Sequence, residues 1–393
     1  MEEEEAASNS ALPEAFLDFL KQNGLDPSIY TASHSTPRYI RLKPGCEAQI
    51  EAIEAEIKCK LEKVEWLPGF YSLPPDIQIA NSNAYREGKI YGIDAASGAA
   101  VSALNISAGD HVLDLCAAPG AKLCLISDLL GDSGSVTGVD VSRHRLTACR
   151  TMLQKYALGN HCRLFVADGT TFSLIPMRIL AESKPCECEL EEDVTFKEWT
   201  SRRPWKERKE AAKIRKSGAV LSGSQHPELI YYGCHSGVIG LKKSELHQAF
   251  CDIEFLSCGY DKVLVDAECT HDGSIKHVQK FEHWGWDTLQ RRVLNADRGD
   301  SLTALQLKLL TNGFRLLKAG GLLVYSTCSL TVAQNEDVVE QFLEENPSAE
   351  LQAIDAAENW PCKKGRLPKT LRFDPLTSNT SGLFVAKFTK LAI

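Results

Sequence analysis

One stretch decides the fold of this chain: Asp114-Leu115-Cys116-Ala117-Ala118-Pro119-Gly120-Ala121-Lys122. It leaves an apolar run typical of a buried strand, residues 112–116, and enters a helical pattern over residues 121–130. Small residues in such a turn let the backbone approach a ligand closely at the start of a helix. The stretch matches neither GxGxxG, which binds a dinucleotide pyrophosphate, nor the phosphate-binding pattern GxxxxGKS/T. It therefore indicates a ligand that carries no phosphate at this turn.

From about residue 86 onward, short apolar strands alternate with longer helical stretches. The predicted strands are residues 112–116, 136–141, 163–167, 262–266, 322–326 and 383–388. The predicted helices are residues 121–130, 143–156, 302–317 and 334–343. This order predicts an α/β fold with right-handed βαβ units and a mostly parallel sheet. Ligands of such sheets bind beyond the carboxyl ends of the strands.

Acidic residues mark three of these strand ends. Asp114 lies in the first strand, Asp140 ends the second, and Asp168 directly follows the third. An acid after the second strand can accept hydrogen bonds from two ribose hydroxyls, and one after the third can accept from the exocyclic amine of adenine. Three such acids without a phosphate-binding loop favour a nucleoside that lacks phosphate, and S-adenosylmethionine is the candidate.

Two cysteines follow two further strand ends. The fourth strand runs into Asp266-Ala267-Glu268-Cys269-Thr270, and the fifth into Ser326-Thr327-Cys328-Ser329. A single cysteine is most often a small buried apolar residue. Two in matching positions, at the edge where the ligand is expected, favour a chemical role.

These motifs resemble those of the Sun/Fmu (Nol/Nop/Sun) family of RNA cytosine-C5 methyltransferases. The resemblance extends from about Tyr91 to the C-terminus, and residues 382–387 resemble the family's closing strand. It implies a seven-stranded Rossmann-like methyltransferase sheet with one antiparallel strand, and S-adenosylmethionine as the cofactor. The cofactor residues it implies are Cys116, Ala117, Ala118, Pro119, Gly120, Ala121, Lys122, Asp140, Arg145, Asp168 and Asp266.

The resemblance also implies roles for the two cysteines. Cytosine C5 is a poor nucleophile, but a thiolate that adds to C6 creates an enamine whose C5 attacks the methyl group, which is covalent catalysis. By resemblance Cys328 is this nucleophile, Cys269 assists product release, and Asp266 hydrogen-bonds the cytosine near N3. RNA is the expected partner, with tRNA favoured over rRNA, and neither a metal nor a membrane is expected.

The chain departs from the family pattern beside the first cysteine, where Glu268 replaces the usual proline. An added acid can raise a thiol pKa or oppose RNA, so an inactive, RNA-binding methyltransferase-like protein is the alternative. A methyltransferase for proteins or small molecules would have no use for the cysteine pair. A DNA-cytosine enzyme is disfavoured because its Pro-Cys pair is absent. His271 is either a general base or a solvated loop residue.

Residues 1–85 are expected to form a small α+β unit before the methyltransferase domain, residues 86–393. Its predicted elements are a helix over residues 12–22 with Phe16, Leu17 and Leu20 on one side, a strand over residues 39–43 and a helix over residues 48–61. Pro68-Gly69 and Pro74-Pro75 suggest a linker. Residues 38–45 resemble the family's N-terminal RNA-binding region.

An insertion near residues 180–245 interrupts the alternation of strands and helices. Within it, residues 197–216 hold nine Lys/Arg and three acidic residues, together with Trp199 and Trp205. This segment is either a solvated surface insertion or a basic arm for a phosphate backbone. The net charge of −8 opposes RNA binding only weakly, because binding follows local basic patches.

The composition is that of a soluble globular protein, with 44% hydrophobic and 24% charged residues. The acidic start of the chain does not resemble a signal or transit peptide, and no apolar run reaches the roughly 18 residues of a membrane helix. The fourteen cysteines show no paired CxxC motifs, so neither a disulfide framework nor a zinc site is expected. A cytoplasmic or nuclear location is therefore expected.

Overall fold

The structure is a computed structural model that describes residues 12–31, 36–176, 195–198, 226–248 and 252–392. Its strands are β1 Arg38–Leu42, β2 Glu62–Lys63, β3 Phe70–Leu73, β4 Ile90–Gly92, β5 His111–Asp114, β6 Ser135–Asp140, β7 Cys162–Val166, β8 Glu228–Tyr232, β9 Tyr260–Asp266, β10 Leu317–Thr327, β11 Ala349–Gln352, β12 Lys363–Lys364, β13 Leu371–Phe373 and β14 Leu383–Lys390.

Its α-helices are α1 Glu14–Gln22, α2 Ser28–Thr31, α3 Ile50–Ile57, α4 Asn83–Arg86, α5 Ala95–Ser102, α6 Ala121–Leu130, α7 Arg143–Lys155, α8 Lys243–Leu246, α9 Asp252–Cys258, α10 Ile275–Trp284, α11 Asp287–Leu289, α12 Ala296–Leu316, α13 Glu336–Glu345 and α14 Pro375–Ser378. A π-helical turn, Gln290–Leu294, follows α11 directly. In the described part of the chain, no helix is both long and apolar enough to cross a membrane.

The larger sheet confirms the predicted α/β fold class. Its strand order is β12-β13-β14-β10-β9-β5-β6-β7-β8, with β11 paired to β14. Strands β7, β6, β5, β9 and β10 are parallel neighbours, and β14 runs antiparallel to β10. Helices α6 and α12 supply apolar residues to the two cores that cover the sheet, as expected for buried parallel strands.

Within the described residues the sheet has ten strands rather than the seven expected, because short antiparallel strands extend both of its edges. Strand β8 lies within the predicted insertion and pairs with β7, so part of that segment belongs to the sheet. Strand β12 consists of two exposed lysines, a pattern with no alternation to signal a strand. The segment 197–216 lies outside the described residues except for Lys197 and Glu198.

All six predicted strands and all four predicted helices of this domain are present, and the largest deviation is at the start of α12. This helix begins at Ala296 rather than Leu302, and the Asn295 side chain caps it by accepting a hydrogen bond from the Arg298 backbone N–H at 2.8 Å. Its first turns are polar and contain Gly299, so the apolar period that indicates a helix begins only later.

The N-terminal strands form a separate antiparallel sheet of order β2-β3-β1-β4. The segment that the prolines suggested was a linker contains β3 instead, because Phe70 and Leu73 are buried there. Strand β4 extends this sheet to Gly92, while the domain boundary at residue 85 stays a prediction. A buried ion pair between Arg41 and Asp128, 3.0 Å from nitrogen to oxygen, joins the small sheet to α6.

Helix α1 packs on the chain that follows the first cysteine motif. Phe16 and Leu20 are buried in a cluster that includes Phe281 of α10, whereas Leu17 is exposed, contrary to the prediction. After α1, the Tyr30 hydroxyl donates to the backbone carbonyl of Asp272 at 2.8 Å. The N-terminal segment therefore supports the loop that carries Cys269.

Candidate active site

The parallel strands bring the predicted acids and cysteines to one edge of the sheet. Asp114, Asp140 and Asp266 are the last residues of β5, β6 and β9. Cys328 directly follows β10, and Cys269 lies three residues beyond β9. Because β9 lies between β5 and β10, the acids and the cysteines are neighbours there.

The turn after β5 is held against its neighbours by backbone hydrogen bonds. The Ala117 N–H donates to the Val139 carbonyl at 2.8 Å, and the Ala118 N–H donates to Asp140 Oδ2 at 3.2 Å. Gly120 has φ +115°, and a Cβ there would lie 2.9 Å from the Cα of Cys149. This position therefore requires glycine, which lets the chain enter α6 close to α7.

Asp140 is buried and fixed by its own turn. Its Oδ1 accepts from the Ser142 N–H at 2.8 Å, and Arg145 Nη1 lies 4.0 Å from its Oδ2. Arg145 also donates through Nη2 to the Ala118 carbonyl at 2.7 Å. Asp168 is exposed, and its Oδ1 accepts from the backbone and the hydroxyl of Thr170.

A first cavity of about 210 Å³ opens at this turn. It is lined by Gly92, Ile93, Asp94, Ser97, Asp114, residues 116–122 and Asp266. Asp140, Arg145 and Asp168 are not part of this lining, although the first two contact Ala118. The structure thus joins most of the predicted cofactor residues in one cavity and leaves Asp168 outside it, two residues beyond the end of β7.

The charges of the first cavity suit a cationic ligand. Burial and the nearby Asp266 carboxylate raise the pKa of Asp114 to about 8. A buried acid of this kind is stabilised in its charged form by a nearby positive group. S-adenosylmethionine carries a sulfonium and an ammonium, so the residues present fit the cofactor that the sequence predicts.

A second cavity of about 200 Å³ adjoins the first. The two cavities share Asp94, Ser97, Lys122 and Asp266, and the second is also lined by Ala267, Ser274, Cys328, Ser381, Gly382 and Leu383. At their junction, Lys122 Nζ donates to Asp266 Oδ2 at 2.7 Å. Ser326 Oγ donates to Asp266 Oδ1 at 2.7 Å, so this carboxylate is fixed between both cavities.

The two cysteines and His271 form one contact group, the thiol–imidazole group. The Cys269 and Cys328 sulfurs lie 3.3 Å apart. His271 Nδ1 lies 3.0 Å from the Cys328 sulfur and 3.6 Å from the Cys269 sulfur. Cys269 is buried, whereas Cys328 and His271 are half-buried. His271 is thus not a solvated loop residue but the third member of this group.

This geometry shifts the pKa values of the two thiols in opposite directions. Burial by itself would raise the pKa of Cys269, but the hydrogen bond with Cys328 and the charge of His271 lower it to about 6. The same hydrogen bond, together with burial, raises the pKa of Cys328 well above its ordinary value. Two groups this close titrate as a pair.

Glu268, the residue that replaces the family's proline, is paired with Arg298 of α12. Its carboxylate accepts from Arg298 Nη2 at 3.2 Å, and its backbone carbonyl accepts from Gln306 Nε2 at 2.8 Å. Burial tends to lower the pKa of His271, but Cys269, Glu268 and Asp266 raise it. The added acid thus favours a charged imidazole beside the sulfurs.

A buried polar network fixes the two cysteine loops to each other. Asp272 Oδ2 accepts from the Leu330 N–H at 2.7 Å, and the Thr270 N–H donates to Gln334 Oε1 at 3.1 Å. The Gly273 N–H donates to the Cys328 carbonyl at 2.9 Å. These partners are 55 or more positions apart in the chain, so sequence spacing carried no signal for them.

Asp94 is a further residue that the sequence reasoning did not assign. It caps α5, with its Oδ1 accepting from the Ala96 N–H at 3.0 Å. Its Oδ2 accepts from the Ser381 N–H at 3.1 Å, which ties the loop before β14 to both cavities. An acid before an alanine-rich helix is an ordinary capping signal, and nothing in it indicated the second contact.

Residues 101–188 and 244–389, more than half of the chain, match the family described as 16S rRNA methyltransferase RsmB/F. The chain belongs to this family. Membership confirms the resemblance to RNA cytosine-C5 methyltransferases. It also confirms S-adenosylmethionine as the cofactor of this family.

Similar proteins include rRNA (cytosine-C(5))-methyltransferase NOP2C of Arabidopsis thaliana, 24% identical over 77% of this chain and 53% of its own length. The 28S rRNA (cytosine-C(5))-methyltransferase of Mus musculus is 23% identical over 97% of this chain and 60% of its own length. A tRNA (cytosine(49)-C(5))-methyltransferase of Pyrococcus abyssi is 30% identical over 33% of this chain and 42% of its own length. The chain thus spans about half the length of the curated RsmB/F-type relatives that it matches.

Two solved structures share the fold over nearly the whole chain. NSun6 from Pyrococcus horikoshii with SFG has a TM-score of 0.63 at 15% identity, covering 97% of this chain and 99% of that one. PH0851 has a TM-score of 0.64 at 21% identity, covering 95% and 65%. Both support the RsmB/F family's methyltransferase fold for this chain.

Proposed function

We propose that this protein methylates C5 of cytosine in RNA and uses S-adenosylmethionine as the methyl donor. The observation that carries the proposal is the 3.3 Å contact between the Cys269 and Cys328 sulfurs, at the wall of a cavity that adjoins the cofactor turn. A protein that only bound RNA would not need this pair. NSun6 from Pyrococcus horikoshii was solved with SFG, which adds support for ligand binding in this fold.

The first chemical step belongs to Cys328. Its thiolate adds to cytosine C6, so the S–C6 bond forms and the C5=C6 electron pair becomes available at C5. S-adenosylmethionine, when bound, supplies a methyl group on a sulfonium. Lys122 and Ser326 hold the Asp266 carboxylate at the cavity junction. There Asp266 accepts a hydrogen bond near N3 and stabilises the ring while C6 is attacked.

The second step belongs to Cys269. The C5 proton is taken up at its sulfur, the C5–H electron pair restores the C5=C6 bond, and the S–C6 pair returns to Cys328. The lowered pKa of Cys269, about 6, supports a role as a proton acceptor at neutral pH. The alternative of an inactive protein requires Glu268 to disable the thiols, whereas its contact with Arg298 supports an intact pair.

The proposed substrate is tRNA or rRNA, in the cytoplasm or nucleus, with tRNA placed first by the sequence reasoning. The two relatives above that cover most of the chain are named for rRNA, and the one named for tRNA covers a third of it. The deciding experiment is bisulfite sequencing of total RNA from cells with and without this protein, complemented by wild type or Cys328→Ala. Sites that depend on wild type alone identify the RNA. Unchanged cytosines throughout would contradict the proposal.

The Asp140 side chain is expected to bind the ribose of the cofactor. Asp140→Asn keeps the shape but replaces an acceptor, and losing a charge-assisted hydrogen bond costs about 1.5–3 kcal/mol. S-adenosylmethionine should therefore bind roughly ten- to a hundred-fold more weakly, measured by calorimetry. Asp132→Asn, at an exposed acid beyond the end of α6, is the matched control and should bind normally. Equal affinities in both variants would remove Asp140 from the site.

Residues 197–216 are proposed to bind the RNA backbone, since the chain is acidic overall and this is its densest basic segment. Changing Arg202, Arg203, Lys206 and Lys209 to alanine should weaken RNA binding and flatten its salt dependence. Each lost phosphate contact lowers the slope of log K against log salt by about 0.7–0.9.

The control variant for this measurement changes four exposed cations in and near the edge strand β12, Lys363, Lys364, Arg366 and Lys369, to alanine. Both variants lose the same charge, so an effect of net charge alone would move them equally. Identical slopes for wild type and the Arg202–Lys209 variant would show that the segment does not touch the backbone. Cofactor affinity should be the same in all three proteins.

A further inference from the structure

The thiol–imidazole group contains His271, which has no role in the two proposed steps of Cys328 and Cys269. The contact of its Nδ1 with the Cys328 sulfur, 3.0 Å, is the shorter of its two sulfur contacts. The imidazole is half-buried, so it connects the buried Cys269 thiol with solvent. On the other side its ring stacks on His277, with ring centres 5.1 Å apart.

The backbone of His271 gives a second, independent observation. Its φ is +60°, in the left-handed region, where residues other than glycine are uncommon. Hydrogen bonds of Thr270 with Gln334, of Asp272 with Leu330 and of Gly273 with Cys328 fix the chain on both sides of it. A strained residue held in this way by its surroundings points to a function for its side chain.

We propose that His271 is the proton carrier of the two-cysteine site: it accepts the proton of the attacking thiol at Nδ1 and later delivers a proton to solvent. This inference rests on the proposed function, because it assigns His271 a part in the same reaction. It also makes a claim about thiol reactivity that stands without RNA.

The proton balance of a full cycle is consistent with this role. The S–H bond of Cys328 breaks, its electron pair stays on sulfur, and an N–H bond forms at Nδ1. After the S–C6 bond has formed, the imidazolium gives one proton to water. During elimination the C5 proton goes to the Cys269 thiolate, and Cys328 leaves C6 as a thiolate. The proton on Cys269 then passes through His271 to the Cys328 sulfur, so each methyl transfer releases one proton and the starting protonation returns.

Charged and titratable groups face His271 from several elements. They are Asp266, Glu268, Cys269 and Asp272 from β9 and its loop, Cys328 after β10, His277 from α10, and Lys122, which acts on Cys328 from α6. The acids and the thiolate favour the imidazolium, and burial opposes it. Burial, together with the charges of His271, Lys280 and Arg292, lowers the pKa of the neighbouring His277 to about 4. The balance favours a proton on His271 whenever a sulfur is charged.

The test is the pH dependence of cysteine alkylation by iodoacetamide, followed for each cysteine by peptide mass spectrometry. It uses the full chain without RNA or cofactor, in buffer with a chelator. In wild type the midpoint for the pair should lie well below that of the exposed Cys234, which is the internal control. In His271→Gly the midpoint should rise by about one pH unit or more, so the rate at pH 6.5 falls roughly tenfold.

Further measurements distinguish a role of His271 in proton transfer from a purely structural role. Glycine suits φ +60°, so His271→Gly should not lower the melting temperature. His271→Asn, which tolerates the same backbone but does not titrate, should match His271→Gly. Free imidazole should restore alkylation in His271→Gly. His277→Gln removes the stacked ring, which hydrogen-bonds Ser274, and should leave the midpoint unchanged.

The same variants separate this inference from the proposed function. Methyl transfer to RNA by His271→Gly should fall about a hundred-fold, most steeply on the acid side of the pH profile. Unchanged alkylation midpoints in both His271 variants would overturn the role of His271, whatever the methylation assay shows. A raised midpoint in a protein that methylates no RNA would keep that role and refute the proposed function.

Discussion

Cys328→Ala is expected to abolish methyl transfer to RNA, with a loss of about 10⁴-fold or more, as when the nucleophile of a covalent mechanism is removed. The reason is that no S–C6 bond can form, and cytosine C5 alone is too weak a nucleophile. Cofactor binding should remain, because Cys328 lines the second cavity and not the first. Transfer of a labelled methyl group to RNA and calorimetry with S-adenosylmethionine measure the two effects.

The control for this prediction is Cys234→Ala, which makes the same chemical change at an exposed cysteine. It should transfer methyl groups at the wild-type rate. Cys328→Ser, which nearly keeps the side-chain volume, should be as inactive as Cys328→Ala, since an alcohol at this site is a far weaker nucleophile than a thiolate. Turnover in either Cys328 variant would show that the methyl group reaches C5 without this sulfur.

Cys269→Ala is expected to accumulate a covalent protein–RNA adduct that survives a denaturing gel. Attack by Cys328 remains possible, because His271 Nδ1 lies 3.0 Å from its sulfur and can still take its proton. Release slows, because the residue that takes up the C5 proton is missing. The measurement is the fraction of protein shifted on the gel after incubation with RNA and S-adenosylmethionine.

The double variant Cys269→Ala/Cys328→Ala is the matched control and should form no adduct. If the double variant is also shifted on the gel, the covalent bond to RNA is not formed by Cys328. If a folded, cofactor-binding Cys269→Ala protein gives no shift and turns over normally, the release role of Cys269 fails while the nucleophile assignment stands.

Much of the fold could be predicted because short-range patterns encode it. The apolar runs over β5, β6, β7, β9, β10 and β14 each predicted a strand, and the turn of small residues predicted the start of α6 at Ala121. Prediction failed where the pattern was short or polar, as in the two-lysine strand β12 and the first turns of α12. Leu17, one of three apolar residues expected on one side of α1, is exposed because α1 packs through Phe16 and Leu20.

The candidate site divides in the same way. Asp114, Asp140, Asp266, Cys269 and Cys328 could be placed from sequence because each ends or closely follows a strand, and the ends of parallel strands meet at one edge. The role of His271 could not, since a histidine two residues after a cysteine is equally compatible with a solvated loop. Glu268 suggested interference with the thiols, and only its contact with Arg298 in α12 showed another partner.

By itself, the sequence determined the α/β class, the turn for a ligand that lacks phosphate, and the residues at the strand ends. These follow from the periodic spacing of apolar side chains and from the order of neighbouring residues. Only the tertiary structure decided that two sulfurs lie 3.3 Å apart, that an imidazole contacts both, and that Tyr30 supports Asp272 from 242 positions away. Such contacts depend on how distant segments pack, and no local pattern of residues records that packing.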